Sequence, residues 1–226
     1  MREILLSAVF VAALWSPNGS EGCSSGPSDK RSVQESPSFV IDLANRSFEP
    51  DPGVDPALLE LLGSAEVRAA HGIVQLNRVP TPEDRTALRS AGVELQQFLG
   101  GTAYLAEFDG TADPESIASV ARWAGLLVAQ DKVSRDLWEG EYEDWAVTDD
   151  SRVRVLVSFH AGTSPDAAAA TLERYTDVFE PHGPSNAWIV EIEPRDVRGI
   201  AADDSVRWLE QGPLPFMPLP ATDSGM

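Results

Sequence analysis

Apolar and polar residues follow the same order in two stretches of the chain, residues 71–133 and 152–210. Each stretch reads as strand, helix, strand, strand, helix, strand, because alternating apolar positions give way to positions spaced three and four apart. The clearest strand is predicted at 152–160, where four alternating residues face one way: Val153, Val155, Val157 and Phe159. A repeated unit constrains the architecture, because each copy must be able to bury most of its own apolar face.

The helix boundaries repeat as well. Thr81-Pro82-Glu83 and Ser164-Pro165-Asp166 open the first helix of each copy with a capping residue followed by proline. Three apolar positions of the second helix recur at an offset of 80 residues: Ile117, Val120 and Ala121 correspond to Val197, Ile200 and Ala201. We therefore predict an α+β fold of two tandem ferredoxin-like βαββαβ sandwiches, each with an antiparallel four-stranded sheet.

Composition divides the chain into six segments. They are a signal peptide at 1–23, a disordered tether at 24–54, a first module with a leading short helix at 55–137, an acidic aromatic linker at 138–150, a second module at 151–211 and a proline-rich extended tail at 212–226. The aromatic residues of the linker are expected to hold the two modules together. In the first module, Gly125 is expected to end the second helix before a closing strand at Leu126–Val133.

The start of the chain has the features of an export signal. The apolar run from Ile4 to Trp15 is too short to span a bilayer but suits the core of a secretory signal. Gly22-Cys23-Ser24 resembles the processing site of bacterial lipoproteins, in which the cysteine is diacylated, although Ser20 stands where an aliphatic residue is usual. An ordinary signal peptide with an incidental cysteine is the alternative, and the position of the only cysteine favours lipidation. The predicted location is extracytoplasmic, either secreted or lipid-anchored in the envelope through Cys23.

Charge and cysteine content exclude several classes of function. The chain has 17 basic and 36 acidic side chains, for a formal net charge of −19. This field repels phosphate backbones, so a nucleic-acid partner is not expected. A single cysteine rules out an internal disulfide framework and a cysteine-based zinc site.

No sequence pattern indicates catalysis, a cofactor or a metal site. Gly162-Thr163-Ser164 resembles a nucleophile motif in three residues only, and the proline and aspartate that follow are typical of a helix start. His71, His160 and His182 lie at a strand start, a strand end and a turn, where histidines are usually exposed polar residues. No glycine-rich phosphate loop opens a helix, and no carboxylate pair stands in an apolar setting. The chain is therefore predicted not to be an enzyme.

Several structural segments resemble the N-terminal prodomain of subtilisin-like serine proteases. They are His71–Leu76, Thr81–Asp84, Gly92–Leu95, Ala103–Ala106, the closing strand Val206–Glu210 and the leading helix Asp55–Leu58. The resemblance covers roughly residues 55–214. The Asp-Thr-Gly, His-Gly-Thr-His and Gly-Thr-Ser-Met-Ala motifs of the catalytic domain are absent.

The resemblance implies a partner and a mode of binding. In that family the prodomain sheet packs on two surface helices of the protease, and its C-terminal segment runs through the substrate cleft as a product-like peptide. Here the matching segment is Gln211–Pro220, with predicted site residues Gln211, Gly212, Pro213, Leu214, Pro215, Phe216 and Met217. Its prolines would resist hydrolysis but remove amide donors that strand addition needs.

The implied function is a non-catalytic inhibitor or folding partner of a subtilisin-like serine protease. Two alternatives remain open at this point. One is a truncated or separately encoded protease propeptide without independent activity. The other is an envelope protein-interaction module that uses the acidic aromatic linker.

Overall fold

The computed structural model describes residues 39–64, 69–184 and 186–213, and their strands form three sheets. The strands are β1 (Ile41–Asp42), β2 (Ser47–Phe48), β3 (Gly53–Val54), β4 (Ala69–Gln75), β5 (Val93–Gly100), β6 (Ala103–Asp109), β7 (Trp123–Leu126), β8 (Val153–Phe159), β9 (Phe179–Pro181), β10 (Ala187–Ile192) and β11 (Val206–Gln211). The α-helices are α1 (Pro56–Leu62), α2 (Pro82–Ser90), α3 (Pro114–Val120), α4 (Arg135–Glu139), α5 (Pro165–Leu172) and α6 (Val197–Ala202). The predicted α+β class with antiparallel sheets is confirmed.

The first sheet has the order β3-β7-β4-β6-β5. β4 pairs antiparallel with β6 and β7, and β5 pairs antiparallel with β6, whereas the short β3 runs parallel to β7. The second sheet has the order β11-β8-β10-β9, and all of its pairs are antiparallel. Leaving β3 aside, each sheet places the last strand of its stretch beside the first, followed by the third and the second.

The predicted helix starts are confirmed. Thr81 caps α2 in a capping box with Asp84, because each side chain accepts a hydrogen bond from the other residue's backbone N–H. Ser164 caps α5 by accepting a hydrogen bond from the backbone N–H of Ala167 at 3.2 Å. Satisfying these otherwise unpaired donors fixes where each helix begins.

Each sheet buries one face against its own helices. The first core combines α2, α3 and α1 with β4, β5, β6 and β7, and its most buried residues include Leu58, Leu88, Phe108 and Ile117. The second core joins α5 and α6 to the alternating valines of β8 predicted from sequence. Tyr104 lies in the first core, and Trp188, at the equivalent position of the second sheet, packs against the second core.

The connection between the sheets belongs to the second core. Val133 and Leu137 are buried there, and Trp138 and Tyr142 pack against it. The predicted end of the first module at residue 137 therefore needs correction, because residues 129–137 follow the last strand of the first sheet and bury their apolar side chains in the second core.

The predicted closing strand at Leu126–Val133 is wrong. The strand is β7, Trp123–Leu126, and residues 129–132 form a 3₁₀ turn. α3 already ends at Val120, since Ala121 takes an extended conformation. Gly125 is small for packing reasons rather than to stop the helix, because a Cβ there would overlap the ring of Trp123.

Residues 39–54 are not part of a tether, in contrast to the prediction for 24–54. β1 and β2 form a small hairpin over the face of the first sheet that is turned away from the helices. Ile41 is 2% exposed there, and Phe48 meets the Trp123 ring edge-on with ring centroids 5.7 Å apart. The apolar residues Phe39, Val40 and Ile41 interrupt the polar composition at the start of this segment, but they do not by themselves predict a hairpin.

Candidate functional site

The predicted cleft segment is only partly described, and its first residues are held by the protein itself. Gln211 is the last residue of β11, and its side chain bonds to the Asp136 side chain and to the backbone of Glu141 and Glu143. The backbone N–H of Gly212 donates to the carbonyl oxygen of Arg154 at 2.8 Å. Gln211 and Gly212 are thus corrected from cleft residues to fold residues, because these bonds fix them to the second sheet.

The other predicted site residues lie at or beyond the end of the described residues. Pro213 is the last residue described, and Leu214, Pro215, Phe216 and Met217 lie outside the described residues, as does Cys23. A segment that reaches a protease cleft would therefore begin at Leu214. None of the described helices is long and apolar enough to cross a membrane.

The second sheet presents an apolar centre on the face turned away from α5 and α6, which we call the second outer face. It consists of the residues that alternate along each strand with those of the second core: Arg154, Leu156, Ser158, Glu180, Ala187, Ile189, Glu191, Trp208 and Glu210. Of these, Ala187 is buried. Leu156, Ile189 and Trp208 are partly exposed. Arg154, Ile189 and Glu191 line an open groove of about 390 Å³.

The second outer face repeats the face of the first sheet that the hairpin covers. Ile73 pairs with Leu105 across β4 and β6, as Leu156 pairs with Ile189 across β8 and β10. The neighbouring rows of the two sheets match as well. In the first sheet Gln75 pairs with Ala103 and Trp123, and in the second Ser158 pairs with Ala187 and Trp208. On the other side of the centre, the pair His71 and Glu107 of the first sheet corresponds to Arg154 and Glu191 of the second. The two outer faces thus have the same apolar centre, but the hairpin covers that of the first sheet and leaves that of the second partly exposed.

Carboxylates surround the apolar centre of the second outer face. Glu210, Leu156, Ile189 and Glu180 form one continuous row across the four strands. The corresponding row of the first sheet, Gly125, Ile73, Leu105 and Gln97, has no charged residue. Arg154 forms an ion pair with Glu191 at 2.9 Å, so the basic side chain of this face is already neutralised. A ligand that binds this face would therefore contact the carboxylates of Glu180 and Glu210 at its two edges.

A histidine pair joins the two sheets, in contrast to the prediction of isolated, exposed histidines. The rings of His71 and His160 stack with centroids 3.5 Å apart and planes 7° from parallel. Asp204 accepts a hydrogen bond from the backbone N–H of His71 at 2.9 Å, and its other oxygen lies 2.8 Å from His71 Nδ1. His160 is only 2% exposed. His160 directly follows β8, as predicted, whereas His71 is the third residue of β4 and not its first. Both are buried where the two rings stack.

Burial governs the ionisation of this histidine cluster. Burial first, and then the neighbouring His71, lower the pKa of His160 to about 3. Partial burial raises the pKa of Asp204, but the hydrogen bonds from His71 outweigh it and leave the pKa below its ordinary value. Burial also lowers the pKa of Lys132, whose ammonium donates to the Asp203 carbonyl oxygen at 2.6 Å. His160 is therefore neutral at physiological pH.

The histidine cluster resembles a structural connection more than a reactive centre. Among the described residues, no group of three or more His, Cys, Asp or Glu is arranged to hold a metal ion. His71 uses its Nδ1 side for Asp204, and its Nε2 lies 3.9 Å from Glu107. No local spacing in the sequence signals this pair, because its members come from two different sheets.

Comparison with known protein families gives a match that covers the first sheet and most of the hairpin. Residues 42–128 match the profile of a family described as a domain of unknown function (DUF8729). The matched range begins at the second residue of β1 and ends just after β7, so it includes the whole first sheet and the hairpin except for residues 39–41. No curated protein and no solved structure matches the chain significantly.

Proposed function

We propose that this chain is a non-catalytic, exported protein that inhibits a subtilisin-like serine protease or assists its folding. In this proposal the two sheets are the cores of two ferredoxin-like modules that correspond to tandem protease prodomains. The observation that carries it is the strand order, because both sheets place last, first, third and second strands side by side within a βαββαβ sequence of elements.

The course of the chain after β11 supports the same proposal. β11 pairs with β8, and Gly212 continues that pairing through its bond to Arg154. The indole N–H of Trp145 donates to the Gly212 carbonyl oxygen at 3.4 Å, so the acidic aromatic linker helps to fix the point where the tail leaves the sheet. The tail that follows would then reach a protease cleft from a fixed origin at Pro213.

Inhibition assays with the full chain test the proposal. We expect the purified protein to inhibit at least one enzyme in a panel of subtilisin-type proteases at about micromolar concentration or below. A serine protease of the chymotrypsin fold serves as the control and should be unaffected. An absence of both inhibition and faster protease refolding across the panel would contradict the proposal.

A truncation locates the inhibitory segment. A chain that ends at Pro213 should lose inhibition while its thermal unfolding midpoint stays unchanged, because Gln211 and Gly212, which bond to the fold, are retained. Unchanged inhibition after this truncation would show that residues 214–226 do not enter the cleft. Export is tested separately, since replacement of Cys23 by serine should abolish lipid labelling if the cysteine is diacylated.

A further inference from the structure

We infer that the second outer face is a docking site for an extended segment of a partner protein that carries apolar side chains and at least one basic residue. This inference does not depend on the identity of the partner and goes beyond the proposed protease inhibition. Its basis is a comparison within the chain, because the first sheet shows which kind of segment such a face accepts.

The covered face of the first sheet is the template for the docking site. Its central residues Ile73 and Trp123 are 0% and 8% exposed because Ile41 and Phe48 of the hairpin pack on them. The second outer face has Leu156 and Trp208 at the equivalent positions, and both are partly exposed. An aliphatic and an aromatic side chain on an extended segment therefore suit both faces.

The chain's own hairpin is held over the first sheet by bonds to the connection between the sheets and to Gln75 of the first sheet. Arg46 pairs with Asp131 at 2.6 Å, and the side chain of Asn45 donates to the carbonyl oxygens of Gln130 and Val133 at 2.8 and 2.7 Å. Gln75 Nε2 also donates to the Phe39 carbonyl oxygen at 2.8 Å, whereas the equivalent position in the second sheet is Ser158, with a shorter side chain. The hairpin is thus fixed over its own sheet and does not also cover the second outer face.

The carboxylates at the edges of the second outer face indicate that the docked segment is basic. Glu210 and Glu180 are exposed and flank Leu156 and Ile189 at both ends of one row, where the first sheet has uncharged residues. A basic residue on the incoming segment would pair with these carboxylates, and an acidic one would be repelled. The hairpin carries Arg46 but also Asp42 and Glu49, so the surrogate for the partner is a peptide with its sequence in which Asp42→Asn and Glu49→Gln remove the two acidic side chains.

Nuclear magnetic resonance titration of the full-length protein tests the inference with a defined probe. The probe is a synthetic peptide of residues 39–50 with blocked termini and with Asp42→Asn and Glu49→Gln, so that Arg46 is its one charged side chain. It is added up to about 1 mM, a concentration that detects weak binding. We expect chemical-shift changes at the backbone of Leu156 and Ile189 and at the Trp208 indole, and none at the Trp123 indole, because the hairpin already covers Trp123. An absence of shifts at the second outer face, or equal shifts at Trp123, would overturn the inference.

Charge variants separate specific docking from adhesion to any apolar surface. Glu180→Lys and Glu210→Lys change exposed residues, and each should weaken peptide binding about two- to fivefold. A peptide that carries Arg46→Glu should show the opposite preference: it should bind the two lysine variants more tightly than it binds the unaltered protein. Ile189→Arg should abolish binding, and Val79→Arg, at a position 69% exposed, should leave it unchanged. Identical affinities for all peptide and protein combinations would overturn the inference.

Two other occupants have distinct signatures. If the occupant is a second copy of this chain, light scattering will show self-association that Ile189→Arg abolishes. If it is the chain's own tail, the peptide will bind only after truncation at Pro213. Either result would overturn docking of a partner protein, and neither depends on whether a protease is inhibited.

Discussion

Replacement of His160 should remove a large part of the protein's sensitivity to acid. His160 is buried between the two sheets and stacks on His71, and within the described residues its Nε2 has no hydrogen-bond partner. His160→Phe keeps a ring of similar size for the stack but cannot take up a proton. The matched control is His182→Ala, which removes a histidine from an exposed turn and leaves the stacked pair intact.

The sign and size of the effect follow from the two ionisation states. The pKa of His160 is about 3 in the folded protein, against an ordinary value of 6.5 that applies when the chain unfolds. Between these values the unfolded chain binds a proton that the folded protein excludes, so the free energy of unfolding falls as pH decreases. From pH 7 to pH 5 this single group lowers the free energy of unfolding by about 2 kcal/mol, at about 1.4 kcal/mol per pH unit below 6.5.

Urea unfolding at pH 7 and pH 5 measures this quantity. The loss of stability on acidification should be about 2 kcal/mol smaller in His160→Phe than in the original protein or in His182→Ala. If the Phe ring is too bulky for the site, His160→Gln gives the same comparison with a smaller uncharged side chain. An equal loss of stability in all variants would refute the reasoning, because it would mean that His160 takes up its proton without unfolding.

Two further substitutions test the packing described above. Arg46→Ala should lower the free energy of unfolding, measured by urea denaturation, by about 3 kcal/mol, because it leaves the fully buried Asp131 carboxylate without its ion-pair partner. Arg89→Ala, which breaks an exposed ion pair, should lower the free energy of unfolding by about 1 kcal/mol or less. Gly72→Ala should lower the thermal midpoint, with a loss of about 1–3 kcal/mol, because its Cβ would overlap the Gly125 carbonyl oxygen. Gly162→Ala, where a Cβ meets nothing within 4 Å, should leave the midpoint nearly unchanged. Equal losses of stability for Arg46→Ala and Arg89→Ala, or for Gly72→Ala and Gly162→Ala, would contradict the contacts described above.

The parts of the fold that depend on neighbouring residues are predictable from the sequence. Thr81 and Ser164 signal helix starts because capping is a local interaction, and the alternation along β8 is visible because one face of that strand is buried. The hairpin escapes prediction because strands of two residues show no periodicity. Ile41 is buried by side chains that are distant in sequence, in a stretch whose composition favours disorder.

The candidate sites are less accessible to sequence reasoning than the fold. Gln211 has an ordinary strand-end sequence context, and only its bonds to the Asp136 side chain and to the backbone of Glu141 and Glu143 reveal that it is fixed in place. The stack of His71 on His160 depends on how the two sheets meet, which no local spacing encodes. The equivalence of Leu156 with Ile73 is present in the repeat, but it acquires meaning only when the hairpin is seen over one face and not the other.

The hairpin also determines where the chain can be shortened without loss of solubility. A fragment that begins at Asp55 would retain every element of the first βαββαβ unit but would expose Ile73, Ala103 and Trp123 to water. Contiguous apolar surface of this kind promotes aggregation. Fragments for expression should therefore begin before Phe39, and proteolytic cleavage between Phe39 and Pro52 would uncover the same apolar residues and promote association.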